Sequence, residues 1–266
     1  MDITNKAIDG GRPFDWGRIS ADYEKYRDIY PQSFYDRIIS RRLCISGQRV
    51  LDLGTGTGVL PRNLYGYGAK WTGTDIPREQ IDQAKMLSEG MAIEYYAAAA
   101  EEIDFPDQTF DVVTACQCFW YFDHERLMPN LFRMLKSEGR ILVLYMAWLP
   151  FEDEIASASE ELVLKVNPKW SGARETMHPI DIPDCYMEKF ELLHREEYKL
   201  RVPFTRESWN GRIKACRGIG ASLTADEISK WEREHMALLE RIASDEFDIL
   251  HYGAIAELKK SEVERG

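Results

Sequence analysis

The sequence has no apolar run near the roughly 20 residues that cross a bilayer. It opens on the polar stretch MDITNKAIDGG, which lacks the apolar segment of a secretion signal. Neither a membrane span nor export is expected, and the cytoplasm is the expected location. Positive charge is also scarce: 34 Lys and Arg stand against 45 Asp and Glu, a net charge of −11. Duplex-binding proteins are more often basic, so no nucleic acid or anionic membrane is expected as partner. The five cysteines, Cys44, Cys116, Cys118, Cys185 and Cys216, are scattered and show no zinc-site spacing. All five are read as reduced, and no metal is expected. There is no internal repeat and no low-complexity linker. What remains is 266 residues, 44% hydrophobic, enough for one sizeable core with a smaller cap.

Residues 1–18 are polar and Gly-rich, and residues 19–43 carry helical spacing through Tyr23, Tyr26 and Arg27, then Pro31, Phe34, Ile38 and Ile39. From residue 49 short apolar runs alternate with helical segments. RVLDL, KWTGTDI, MAIEYYAAA, DVVTACQCF and RILVLYMAW read as five strands. Helices are expected near 58–67, 77–89 and 124–137, with Gly139 separating the last from the fifth strand. This alternation predicts a parallel sheet covered by helices on both faces. The runs are apolar throughout, as strands buried on both sides are. After Trp148 the rhythm breaks. A helix is expected over 151–166, a loop over 167–185, a strand at REEYKLRVPF, helices over 207–219 and 225–243, and a closing strand or hairpin at FDILHYGAIAELKK.

The glycines of RVLDLGTGTGVL fall at Gly54, Gly56 and Gly58, where the first strand ends. In an open parallel sheet that end is where ligands bind, and glycine lets backbone approach them. The dinucleotide fingerprint G-x-G-x-x-G needs a glycine where this chain has Val59. Asp52, two residues ahead of the first glycine, would repel a pyrophosphate and suits an ammonium. Asp75, at the end of the second strand, suits two ribose hydroxyls. A nucleoside with a cationic tail and no phosphate is therefore expected, and S-adenosylmethionine (SAM) fits. An NAD-type oxidoreductase is disfavoured by Val59 and Asp52.

Together, VLDLGTGTG, TGTDI, AEEIDFPDQTFDVV and LKSEGRILVL resemble the successive motifs of class I SAM-dependent methyltransferases, in the type 11 or UbiE-like small-molecule branch. The resemblance spans about residues 19–148. It implies an α/β, Rossmann-like fold: a seven-stranded, mostly parallel sheet with helices on both faces, an antiparallel last strand and a small helical cap. The implied divisions are lid helices at 1–43, the SAM-binding core at 44–148, cap insertions with the sixth strand at 149–243, and the last strand at 244–266. By position, Gly54, Thr55, Gly56 and Gly58 would line the methionine portion, with Asp52 near its ammonium. Asp75 would hold the ribose, Ile76 would meet the adenine, and Ala99, Ala100 and Glu101 would border its edge. Ala99 stands where the family often has an acid. The segment ADYEKYRDIYP resembles the family's YxxxRPxYP, which closes over the cofactor, with Asp28 and Ile29 altering its middle. There Arg27 would pair with the methionine carboxylate, and Tyr23 or Tyr26 would face the sulfonium.

A sulfonium methyl is already activated, so the enzyme chiefly places the acceptor in line and excludes water. A base is needed only for an acceptor that keeps its proton. His178, in the Pro-flanked loop TMHPIDIP, is the candidate base. Gln117, Phe119, Trp120 and Tyr121 follow the fourth strand; Gln117 is assigned to the cofactor, Trp120 and Tyr121 to the acceptor pocket. Trp148, Trp209 and Arg217 are the further pocket candidates, the last within a basic cluster with Arg212 and Lys214 that reads either as an anchor for an acidic substrate or as a solvated helix face. The expected activity is metal-independent, in-line methyl transfer to a small molecule by a monomer or homodimer, with S-adenosylhomocysteine as by-product. The alternatives are an RNA or protein acceptor, or a non-catalytic SAM binder of the same fold.

Overall fold

The computed structural model describes residues 9–14, 26 and 28–261. Pro31, extended at φ −71°, precedes helix α1 (Gln32–Ser40), whose inner face is Phe34, Tyr35 and Ile38. The five expected apolar runs then form strands. They are β1 (Arg49–Leu53), β2 (Lys70–Asp75), β3 (Ile93–Ala97), β4 (Phe110–Cys116) and β5 (Leu135–Trp148). Between them lie α2 (Val59–Leu64), α3 (Arg78–Leu87) and α4 (His124–Met134). Val50, Leu51, Val112, Val113 and Ile141 to Leu144 are fully buried, because helices cover both faces of these strands.

The seven strands run in the order β3-β2-β1-β4-β5-β7-β6, where β6 is Phe190–Thr205 and β7 is Glu246–Lys260. Strands β1 to β5 pair in parallel, with Asp52 beside Gly73 and Thr114. Lys260, at the end of β7, reaches the carbonyl of Leu135 at the start of β5. Ser261, just past β7, bonds Lys189, just before β6. Strand β7 therefore runs antiparallel to both neighbours, and the closing segment is one strand rather than a hairpin.

Several boundaries differ from the sequence reading, among them the helix expected over 207–219, which ends at Lys214. Helix α4 ends at Met134, and β5 begins at once. Phe110 pairs with Leu135 and Val112 with Arg140, so β5 advances five residues against two on β4. The surplus forms a bulge. Gly139 lies in it, where a Cβ would meet the Lys136 carbonyl oxygen at 2.9 Å. Strand β6 starts five residues earlier than REEYKLRVPF, with the apolar Phe190 buried. The expected loop over 167–185 runs into a short helix, α6 (Asp184–Met187). The remaining helices are α5 (Glu154–Val166), α7 (Arg206–Lys214) and α8 (Ala225–Ile242). Asp153, Thr205 and Thr224 cap the first turns of α5, α7 and α8, and the last two form capping boxes with Ser208 and Glu227.

The chain divides into two compact units. The glycine-loop unit is 31–146, 178–198 and 253–266; the helical unit is 1–30, 147–177 and 199–252. In the helical unit, α5 and α7 pack on α8 around the buried Trp148, Trp170, Trp209 and Trp231. Among the described residues, no helix is long and apolar enough to cross a membrane.

Candidate functional site

The loop between β1 and α2 is shaped by its three glycines, which hold left-handed φ values of 59° (Gly54), 56° (Gly56) and 75° (Gly58). Two of them are also required by contact. A Cβ on Gly54 would lie 2.7 Å from Cys118 Sγ, and one on Gly58 would overlap the Tyr95 hydroxyl. Cys118 is locked below the loop by a hydrogen bond from its thiol to the Leu53 carbonyl, 3.1 Å. Thr55 N–H donates to the Thr74 carbonyl at 2.9 Å, tying the loop to β2.

Two carboxylates brace this loop from different sides. Asp52 is 2% exposed and accepts hydroxyls from Thr55 (2.6 Å) and Thr114 (2.5 Å). It therefore lies beneath the loop with both oxygens engaged, which corrects the picture of a side chain open to a ligand ammonium; its charge acts from below. Burial pushes Asp52 up to about 7, against the pull of the Thr114 and Thr55 hydroxyls, and the charge of Asp75 adds to the rise. Asp75 accepts the N–H of Gly56 and of Ile76, both at 2.8 Å. Burial pushes it up to about 6, although those two N–H groups favour the ionised form. Beside it Ile76, 53% exposed, presents an apolar side chain to solvent.

On the far side of the loop, Ala99 and Ala100 lead into a short 3₁₀ turn, Ala100–Glu102. Glu101 is turned toward α4. Its carboxylate accepts the Asp123 N–H at 2.7 Å, and its carbonyl accepts from Asn130 at 3.3 Å. Its placement therefore fastens the start of α4, as the Asp123 side chain also does by accepting from Arg126. Gln117 adopts a left-handed φ of 65°, which costs a non-glycine residue about 1–2 kcal/mol. Its N–H bonds the Leu144 carbonyl at 2.9 Å, and its side-chain amide donates to the Met146 carbonyl. These bonds hold the strained residue and fix the end of β4 to β5.

Past Gln117, an aromatic surface forms. Trp120 is 49% exposed. Tyr145 of β5 meets it edge-on, 4.9 Å between ring centres at 87°, and Tyr121 lies 5.7 Å away. His178 follows at 6.1 Å from Tyr145, exposed, with Nδ1 2.9 Å from the Pro179 carbonyl. Sequence reasoning missed Tyr145 and Cys118. Tyr145 was visible as the one hydroxyl-bearing residue in the run ILVLYMAW; Cys118 gave no signal. Phe119 is instead core, packed on His124 at 4.4 Å and Tyr186 at 5.6 Å.

The remaining candidates fall in the helical unit or outside the described residues. Tyr23 and Arg27 lie outside them. Tyr26 donates its hydroxyl to Glu207 at 3.2 Å, and its ring lies against Gly211. Trp148, Trp209 and Arg217 are interior groups, which corrects the acceptor-pocket reading for all three. Trp148 donates to the buried Glu160 at 2.9 Å and meets Trp209 edge-on at 5.5 Å. Trp209 donates to Ser159 at 2.9 Å. Arg217 is paired with the buried Asp9 at 2.7 Å and donates to Ser171 at 3.0 Å. Its neighbours are committed too: Arg212 lies over Trp148 at 5.1 Å, and Lys214 pairs with Glu232 at 3.2 Å. The basic cluster is thus buried or paired in the interior rather than a solvated face. Residues so apolar or so firmly paired are held by long-range partners that the local pattern does not reveal.

Comparison with known proteins bears on this geometry. Residues 51–143 match the family model described as a methyltransferase domain. A ubiquinone/menaquinone biosynthesis C-methyltransferase of Vibrio campbellii is 30% identical over 176 residues, 63% of this chain and 61% of that protein. A ubiquinone biosynthesis O-methyltransferase of Pseudomonas entomophila is 28% identical over 159 residues, 58% of this chain and 67% of that one. The chain spans about half to three fifths of the length of the first curated relatives it matches, between 47% and 61%. Among solved structures, the YcgJ protein of Bacillus subtilis has a TM-score of 0.51 at 18% identity, covering 88% of this chain and 100% of that one. The [4+2]-cyclase SpnF has a TM-score of 0.50 at 18% identity, over 86% and 80% of the two chains. These two likenesses establish a shared fold.

Proposed function

We propose that this chain, whose residues 51–143 match a methyltransferase domain, is a class I enzyme that uses SAM to methylate a small-molecule acceptor. The observation that carries the reading is the loop Gly54–Gly58: three left-handed glycines at the end of β1, closed by the Asp75 carboxylate on the Gly56 N–H. A phosphate cradle would present free N–H groups to an anion; here an acid takes one of them, and a second acid lies underneath. That donor set suits a neutral ribose and a cationic tail.

In this reading Gly54, Thr55, Gly56 and Gly58 supply backbone to the amino-acid end of the ligand. The free lone pairs of Asp75 take the ribose hydroxyls, Ile76 covers one adenine face, and Ala99 and Ala100 border its edge. Glu101 acts on that edge only through the turn it fastens. Gln117 keeps the β4 and β5 ends in register beside the loop. SAM, when bound, supplies a methyl group already activated on positive sulfur. The chain's task is then to place the acceptor on the far side of that methyl and to exclude water. Trp120, Tyr121 and Tyr145 offer a flat aromatic wall for it, and the exposed face of Trp120 suits a planar acceptor. His178, at the end of that wall, takes the proton of an acceptor that retains one.

The test is a screen of small acceptors with mass detection, in which the product gains one CH₂. Trp120→Ala is expected to raise KM about tenfold or more with little effect on cofactor affinity. Product from no small acceptor, with SAM still bound, would overturn the small-molecule reading and leave an RNA or protein acceptor or the non-catalytic binder.

A further inference from the structure

Two carboxylates, Asp52 and Asp75, stand at the glycine loop, and among the described residues no cation acts on either. Asp52 comes from β1 and Asp75 from β2. Tyr95 comes from β3, Cys44 from the segment before β1, and Cys116 and Cys118 from the end of β4, and the charge of Asp52 bears on Tyr95, Cys44 and Cys118. Helix α2 contributes Arg62, but its Nε donates to the Thr57 carbonyl at 3.3 Å and its charge acts on Tyr95. Among the described residues, Asp75 is the one charge that bears on Asp52, and it is of the same sign. A buried carboxylate beside a second, half-buried one of the same charge strongly favours holding a proton until a cation arrives.

The geometry says where the proton resides. The partners of Asp75 are two backbone N–H groups, which only donate and so favour the ionised form. The partners of Asp52 are two hydroxyls at 2.5–2.6 Å, which as donors favour the ionised form but, unlike an N–H, can also turn to accept from a protonated one. Asp52 can therefore be neutral or charged with no movement of the loop. Burial raises both groups, Asp52 to about 7 and Asp75 to about 6, in the same order.

We propose that cofactor binding is a proton-releasing step: a ligand carrying positive charge to the glycine loop drives the proton off Asp52 into the solvent. The inference rests on the cofactor reading above and adds to it a built-in pH dependence. Affinity rises as pH rises through the range where the empty loop holds its proton, then levels off.

Calorimetry on the full chain tests it with SAM and with 5′-methylthioadenosine, an uncharged analogue. Between about pH 5.5 and 7.0 the amino group of SAM stays protonated, with a pKa of roughly 7.7–8.0. Over that window SAM should tighten about tenfold more than the uncharged analogue, which shares the ribose contact of Asp75 and so carries any titration of that group. At pH 6.5, paired buffers of different ionisation enthalpy should report release of about half a proton or more per SAM. Asp52→Asn should flatten the profile and abolish the release. Thr114→Val, which removes a hydroxyl that favours the charged form, should move the midpoint upward, and serves if Asp52→Asn does not fold. SAM binding with a flat profile and no proton exchange would overturn the inference and spare the cofactor reading. A profile unchanged in both variants would remove Asp52 from it. Failure of both ligands to bind at any pH would overturn the cofactor reading itself.

Discussion

The two units solve the problem of interior polarity in opposite ways. The helical unit ties Asp9, Ser159, Glu160 and Asn210 into hydrogen bonds with its own side chains and keeps its imidazoles neutral. His235 sits between Asn210 (2.8 Å) and Ser159 (2.9 Å) and stacks on Trp231. His251 lies among Trp148, Phe204 and Trp209. Burial pushes both down to about 3. The glycine-loop unit does the reverse: it retains acids whose proton affinity is raised, a strained Gln117, and exposed Ile76 and Trp120 at one loop cluster. Side chains bonded to one another in the interior mark architecture; raised acids, a strained residue and exposed apolar groups around one loop mark a place kept for a ligand.

The largest effect should come from breaking the interior bonding of the helical unit. Trp209→Ala removes a fully buried indole and strands the Ser159 network, so denaturant unfolding should show a loss of about 3–5 kcal/mol. Arg217→Ala leaves the Asp9 carboxylate buried without its cation and should cost about 3 kcal/mol or more; a loss under about 1 kcal/mol would mean the pair is not formed in solution. A pH series separates the units by sign. His235 and His251 have native values below the unfolded 6.5, so the unfolded state binds protons first. Their stabilising contribution is intact above about pH 6.5 and is lost as pH falls toward 3, by up to about 1.4 kcal/mol per unit for each. Asp52 and Asp75 have native values above the unfolded value, so their burial costs stability above pH 6–7 and ceases to do so as pH falls to about 4. Hydrogen exchange should therefore show the helical unit loosening in mild acid while the glycine loop tightens. The smallest effect is Gln117→Gly, where relief of the left-handed strain offsets the lost amide bond; stability should change by less than about 1 kcal/mol.

The same contrast governs what the sequence reveals. The glycine loop, Asp52, Asp75 and the strand ends around them are local features, readable because a turn, a spacing and an apolar run are each contained in a few residues. The residues misread there depend on distant partners. Glu101 is drawn to Asp123. Asp52 is sealed by Thr114, 62 positions away. In the helical unit almost every decisive contact is of this kind. Arg217 finds Asp9 across 208 positions, and Trp209 finds Ser159 across 50. An aromatic or a basic residue at a strand end or on a helix looks alike whether it lines a pocket or fills a core. The bulge at Gly139 was hidden for the same reason, since only its pairing with β4 places Leu135 in a strand.

The central claim is that the loop after β1 holds the nucleoside of SAM and that Asp75 grips its ribose. Calorimetric titration of the wild-type chain and of Asp75→Ala, with SAM and with NAD, tests it most directly. The account predicts micromolar SAM binding, no NAD binding, and at least about a tenfold loss for SAM in the variant, the loss of a charge-assisted hydrogen-bond pair. NAD binding in place of SAM, or SAM affinity unchanged by Asp75→Ala, would contradict it.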